Sequence, residues 1–137
     1  MKSLQDNKTW RWEEPPKDQR VIDNRWVYKI KDGLTEEEEK LFKSRLVVKG
    51  YTQRYGVDYT EVFSPVAKYA TIRLICTLVV LFDLVLDQMD VVTAFLNGTL
   101  EEVIYMKPPQ GFVKQGQENL VCRLLKMIYG LKQSPRR

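Results

Sequence analysis

A chain of 137 residues, 44% of them hydrophobic, falls in the range of one small domain and carries enough apolar side chains to build a core. Its 22 Lys and Arg against 18 Asp and Glu leave a net charge of +4, an excess that permits nucleic-acid binding without requiring it. Histidine is absent and there are two cysteines, Cys76 and Cys122, so neither a Cys/His zinc site nor a Ser-His or Cys-His nucleophile can be assembled. Both thiols are expected to be small buried hydrophobes in a reducing compartment.

The opening segment MKSLQDNKTWRWEEPPK is polar and has no apolar run of the kind a secretory signal needs. The longest apolar stretch, Leu74 to Leu86, is broken by Asp83 and is shorter than the about 20 residues of a spanning helix. An intracellular protein, cytoplasmic or nuclear, with no membrane partner is expected. Residues 1–20, with Pro15-Pro16, read as an extended lead-in whose Trp10 and Trp12 pack on the domain edge.

From Val21 to Lys31, Trp26, Tyr28 and Ile30 alternate with Arg25, Val27 and Lys29, the period of a half-buried strand. The acidic run Glu36 to Glu39 reads as a solvated turn, and a second strand returns from Leu41 to Gly50. The two form a long antiparallel hairpin on which parity places Lys43, Arg45 and Lys49 on one face. Residues 51–69 read as a structured loop. A helix follows from about 71 to 83, with Ile72, Leu74, Ile75, Leu78, Val79 and Phe82 at helical spacing, and should pack against a sheet.

Leu84 to Val92, rich in β-branched residues, is expected as a central buried strand. Asn97-Gly98 then makes a turn, VIYMK a short strand, and LVCRLLKMIYG a final strand-like segment. The expected class is α+β. Within the expected strand, Asp90 is the anomaly, because burying a carboxylate costs several kcal/mol unless a partner compensates it. On that context alone, an ion pair or a turn cap competes evenly with a metal site.

The residues around Asp90, QMDVVTAFLNG at 88–98, resemble the first catalytic motif of reverse transcriptases of Ty1/copia-type LTR retrotransposons. The resemblance continues through VIDNRWVYKIK, KSRLVVKGYTQRYGVDYTEVFSPVAK, TIRLICTLVVLFDL, EEVIYMKPPQGF and LVCRLLKMIYGLKQSPR, from about residue 20 to 136. It implies a fingers β-hairpin over about 21–68 and an incomplete palm over about 69–137 of the polymerase right-hand fold.

It also implies RNA-directed DNA synthesis on an RNA or DNA primer-template with dNTP and Mg²⁺. In such chemistry carboxylates hold two divalent ions that activate the primer hydroxyl and stabilise the leaving pyrophosphate. By the resemblance Asp90 is the catalytic carboxylate and a metal ligand, and the Val91 carbonyl is its neighbouring ligand. Asp87, three residues back, would point to the opposite face and is left out. Phe95 takes the place of the ring beneath the incoming sugar, where it would exclude a 2′-hydroxyl; its plainer role is core packing. Arg45 and Lys49 resemble the cations that grip the triphosphate, while a solvated strand face is their alternative and the expectation for Lys43.

In YGLKQSP, Gly130 would permit close backbone approach, and Lys132, Gln133 and Ser134 would touch template or nucleotide phosphates. The same string also reads as a plain turn with Ser134 as N-cap and Pro135 at the first helical position. The chain departs from the family in having no Asp-Asp pair, and so no Tyr-x-Asp-Asp motif, and in carrying Val92 and Thr93 where a Lys-Thr pair is common. A truncated polymerase fragment without activity of its own is expected. The alternatives are a co-opted, non-catalytic nucleic-acid-binding module or a piece complemented by another polypeptide that supplies the palm.

Overall fold

The computed structural model describes residues 1–31, 40–64, 66–113 and 116–136. The expected acidic turn at Glu36 to Glu39 lies outside them. Helix α1 (Lys2–Asp6) leads into strand β1 (Trp10–Glu13), followed by β2 (Val21–Ile22), β3 (Asn24–Lys31) and β4 (Leu41–Val48). Helices α2 (Tyr69–Leu81) and α3 (Ala94–Asn97) come next, then β5 (Tyr105–Met106) and β6 (Val121–Leu124).

Two sheets organise the chain. The first has the order β1-β6-β5-β2, antiparallel except for the parallel β2–β5 pair, and the second is the β3–β4 antiparallel hairpin. Residues 1–20 are therefore not an extended lead-in. Lys2–Asp6 is helical, and β1 adds an edge strand to β6, with Trp10 and Trp12 packed against the core as the sequence suggested. Arg11 and Arg123 face each other across that pair, and both meet Glu13, which offsets the like charges.

The strand expected from Val21 to Lys31 is present but changes sheets at Asp23. The Asp23 carboxylate accepts the Asn24 backbone N–H at 2.9 Å, while the Asp23 carbonyl accepts that of Lys49 at 2.9 Å. This local bonding breaks the ladder, so β2 joins the four-stranded sheet and β3 pairs with β4. The hairpin's root is buried through Leu46 and Val48, whereas Leu41 to Ser44 and Tyr28 to Lys31 are exposed.

The core gathers Ile22, Leu46, Val48, Ile104, Met106, Cys122, Leu124, Met127 and Ile128, joining the hairpin root to the four-stranded sheet. Desolvation pushes the Cys122 thiol up to about 12, so that cysteine is the inert buried hydrophobe expected. Cys76, on α2, is exposed instead.

Two further expectations are corrected. The helix forms two residues earlier than its apolar spacing indicated, at Tyr69–Leu81, but it does not pack on a sheet: none of its residues is buried, and only Val79 is half-buried. Periodicity identifies an apolar stripe, not what covers it. Residues 84–92 form no strand and are exposed throughout. β-Branched residues favour a pleated surface only when a neighbouring strand supplies ladder bonds and cross-strand contacts, and no described strand pairs with this segment.

Candidate functional site

An open cleft of about 430 Å³ lies where the hairpin root, residues 90–93 and the turn at 128–129 converge. Its lining includes Lys43 and Arg45 from β4, Asp90, Val91, Val92 and Thr93, Leu96 from α3, and Tyr129. Asp90 is exposed, so the cost of burying its charge does not arise, and among the described residues it forms no ion pair.

Thr93, beside the cleft, adopts φ 53°, a left-handed conformation that turns the chain into α3 and brings Phe95 toward the core. The Phe95 and Tyr129 rings meet edge-on, 4.7 Å between centroids at 90°, and the Arg45 guanidinium lies 5.6 Å from the Tyr129 centroid. Phe95 is thus half-buried against the core and in contact with a ring of the cleft wall.

Lys49 departs from the expected arrangement. β4 ends at Val48, and Lys49 Nζ donates to Asp23 Oδ2 at 2.5 Å instead of sharing the face of Lys43 and Arg45. This hydrogen bond, first, holds the Asp23 carboxyl below its ordinary 3.8, against the opposing effect of desolvation, and it raises Lys49 above its ordinary 10.5. Because the folded Asp23 value is lowered, the bridge's contribution to stability is full above 3.8 and is lost as pH falls through that lowered value. On the alkaline side it is full below 10.5 and lost as pH rises through Lys49's raised value. Asp23→Asn is expected to flatten the acid limb of the stability profile, measured as urea midpoints between about pH 5 and pH 2.5.

The 130–134 segment points mostly inward. Gly130, at φ 96°, approaches Val48 so closely that an added Cβ would sit 2.1 Å from the Val48 carbonyl oxygen. The close approach expected of this glycine therefore exists, but toward the hairpin root. Gln133 and Ser134 are fully buried. Gln53 Nε2 donates to Gln133 Oε1 at 3.1 Å, Gln133 Nε2 donates to the Asp58 carbonyl at 3.1 Å, and Ser134 Oγ donates to the Ile128 carbonyl at 2.6 Å. Ser134 thus closes the turn backward, onto a carbonyl six residues earlier. Only Lys132 has an exposed side chain, while its backbone N–H donates to Gln53 Oε1 at 2.8 Å.

Sequence reasoning missed Gln53, Asp58 and Asp23, and it gave Tyr129 no role of its own. The spacing of YGLKQSP signalled a special turn, but nothing local in sequence identifies partners as distant as Gln53 or Asp58.

The donor set does not make a magnesium site. Among the described residues no three His, Cys, Asp or Glu side chains cluster closely enough to hold a metal, and Asp90 is the one carboxylate in the cleft lining. None of the described helices is long and apolar enough to cross a membrane.

In this mixed α/β chain, Asp90, Lys43, Arg45 and Tyr129 thus line one open cleft. The chain belongs to the reverse transcriptase (RNA-dependent DNA polymerase) family, whose model matches residues 7–137. It is 50% identical, over 99% of its length, to the retrovirus-related Pol polyprotein from transposon TNT 1-94 of Nicotiana tabacum. Over 95% of its length it is 44% and 42% identical to the retrovirus-related Pol polyproteins from transposons RE2 and RE1 of Arabidopsis thaliana. The resemblance to the Ty1/copia type is thereby borne out. The chain spans about a tenth of the length of these relatives, 9 to 10%. No solved structure matches it.

Proposed function

We propose that this chain forms part of the nucleotide and template site of a retrotransposon RNA-directed DNA polymerase and does not polymerise by itself. The observation that supports it most is the convergence of Asp90 and Arg45, from separate segments, on one open cleft. Asp90 supplies one hard oxygen donor, and the Val91 carbonyl is suited to supply a second. Reverse transcriptases generally depend on Mg²⁺, and one carboxylate falls short of the set that two ions need.

Arg45 is the cation best placed to meet phosphate, since its guanidinium is held at the cleft wall without a carboxylate partner among the described residues. Lys49 would have to leave Asp23 first. Phe95 supports the sugar and disfavours a 2′-hydroxyl. Gly130, Gln133 and Ser134 shape the turn that presents Lys132 to the template. In this reading residues 21–68 act as fingers and 69–137 as part of a palm, acting on a primer-template and dNTP.

Two measurements test it. Purified chain is expected to give no primer extension on an RNA template with Mg²⁺ or Mn²⁺. It is expected to bind a labelled primer-template with an affinity that falls as salt rises, and Arg45→Ala should weaken that binding about tenfold and shallow the salt slope by about 1. Extension product from the chain alone, or binding indifferent to both salt and Arg45, would sink the reading.

A further inference from the structure

Tyr129 is the side chain that links the two halves of the cleft. Its ring touches Arg45 on the hairpin and Phe95 on α3, at the distances given above, and it forms part of the cleft wall. Its backbone is anchored on the strand that carries Arg45: the Tyr129 carbonyl accepts the Val48 N–H at 2.8 Å, and Gly130 packs directly on Val48. At 38% exposed, the ring is neither a core side chain nor a freely solvated one. Among the described residues the Tyr129 side chain makes no hydrogen bond, and its ring contacts are those with Arg45 and Phe95.

We propose that Tyr129 is a positioning residue of the nucleotide site, fixing the Arg45 guanidinium and the Phe95 ring relative to each other. The proposal rests on the preceding reading, in which Arg45 meets phosphate and Phe95 meets the sugar. An arginine side chain has several rotatable bonds, and its freedom must be given up each time it grips an anion. The electron-rich face of an aromatic ring attracts the guanidinium and favours the rotamers that place it there, so part of that ordering is complete before the ligand arrives. The edge-on contact does the same for Phe95. One ring thereby couples phosphate recognition to sugar discrimination. An aliphatic side chain of similar bulk would fill the space but supply neither the quadrupole nor the ring edge.

The test compares dATP and ATP, each with Mg²⁺, binding to the 137-residue chain by titration calorimetry. Tyr129→Phe is expected to match the parent, because the ring is retained. Tyr129→Leu is expected to weaken dATP about fivefold and to narrow the preference for dATP over ATP. In an Arg45→Ala background, Tyr129→Leu should weaken dATP by clearly less than that, because Tyr129 acts on the phosphate through Arg45. A merely structural residue would shift the thermal midpoint and leave the dATP-to-ATP ratio unchanged.

If Arg45→Ala weakens binding while Tyr129→Leu leaves both affinity and ratio at parent values, the role of Tyr129 is overturned and the site reading survives. If the parent binds neither nucleotide and Arg45→Ala changes nothing, both fall. Should Tyr129→Leu not fold, Tyr129→Met replaces it with the same two expectations.

Discussion

Gly130→Ala is expected to lower stability by about 2 to 5 kcal/mol. Two costs add. At φ 96° an L side chain is strained, by about 1 to 2 kcal/mol, and the new Cβ would fall 2.1 Å from the Val48 carbonyl oxygen and 2.9 Å from a Val47 methyl. Backbone cannot rotate out of the way as a flexible side chain can, so relief requires moving the root of β4, with an overpacking cost of about 1 to 3 kcal/mol. Gly50 lies on the other side of the same contact, where a Cβ would sit 1.8 Å from the Gly130 oxygen. Urea or thermal unfolding of Gly130→Ala should show a large drop in midpoint. A change below about 1 kcal/mol would mean that the two segments do not meet as described.

Gln133→Leu carries the second large expected effect. The substitution roughly keeps volume but strands two groups in the interior, the Asp58 carbonyl and the Gln53 amide, which lose their partners at 3.1 Å each. Each unsatisfied buried group costs about 1 to 3 kcal/mol, so for the two a loss of about 2 to 6 kcal/mol is expected. A double-mutant cycle with Gln53→Leu should be strongly non-additive, because removing the second amide removes one of the groups the first change left unpaired. Additive losses would show that the two amides are not coupled.

How much could be read from the sequence varies by element, for physical reasons. The hairpin was legible because alternation at Trp26, Tyr28 and Ile30 is a local signal, whereas the register that pairs Trp26 with Leu46 was not. Helix α2 was legible as a helix but not as an exposed one, since its apolar spacing carries no information about a neighbour. Residues 84–92 show the converse: composition reads as strand, yet a strand exists only where another chain segment completes its hydrogen bonds.

At the site, Asp90 and Arg45 were named by motif resemblance, and the chain brings both to one cleft. Lys49 was misplaced because parity holds only while the strand continues, and β4 ends one residue before it. The inward burial of Gln133 was illegible because its partner, Gln53, is far away in sequence and lies in a segment with no regular period.

The hairpin changes from buried to exposed partway along its length, and this sets where it can move. Val48 and Leu46 are held in the interior, while Ser44, Lys43 and Phe42 stand in solvent, with Arg45 opposite Val27 at the crossover. A two-stranded ribbon clamped at one end flexes where its support stops. A bend at that point would leave Arg45 nearly in place and displace Lys43 less than Lys31, which stands two rungs farther out.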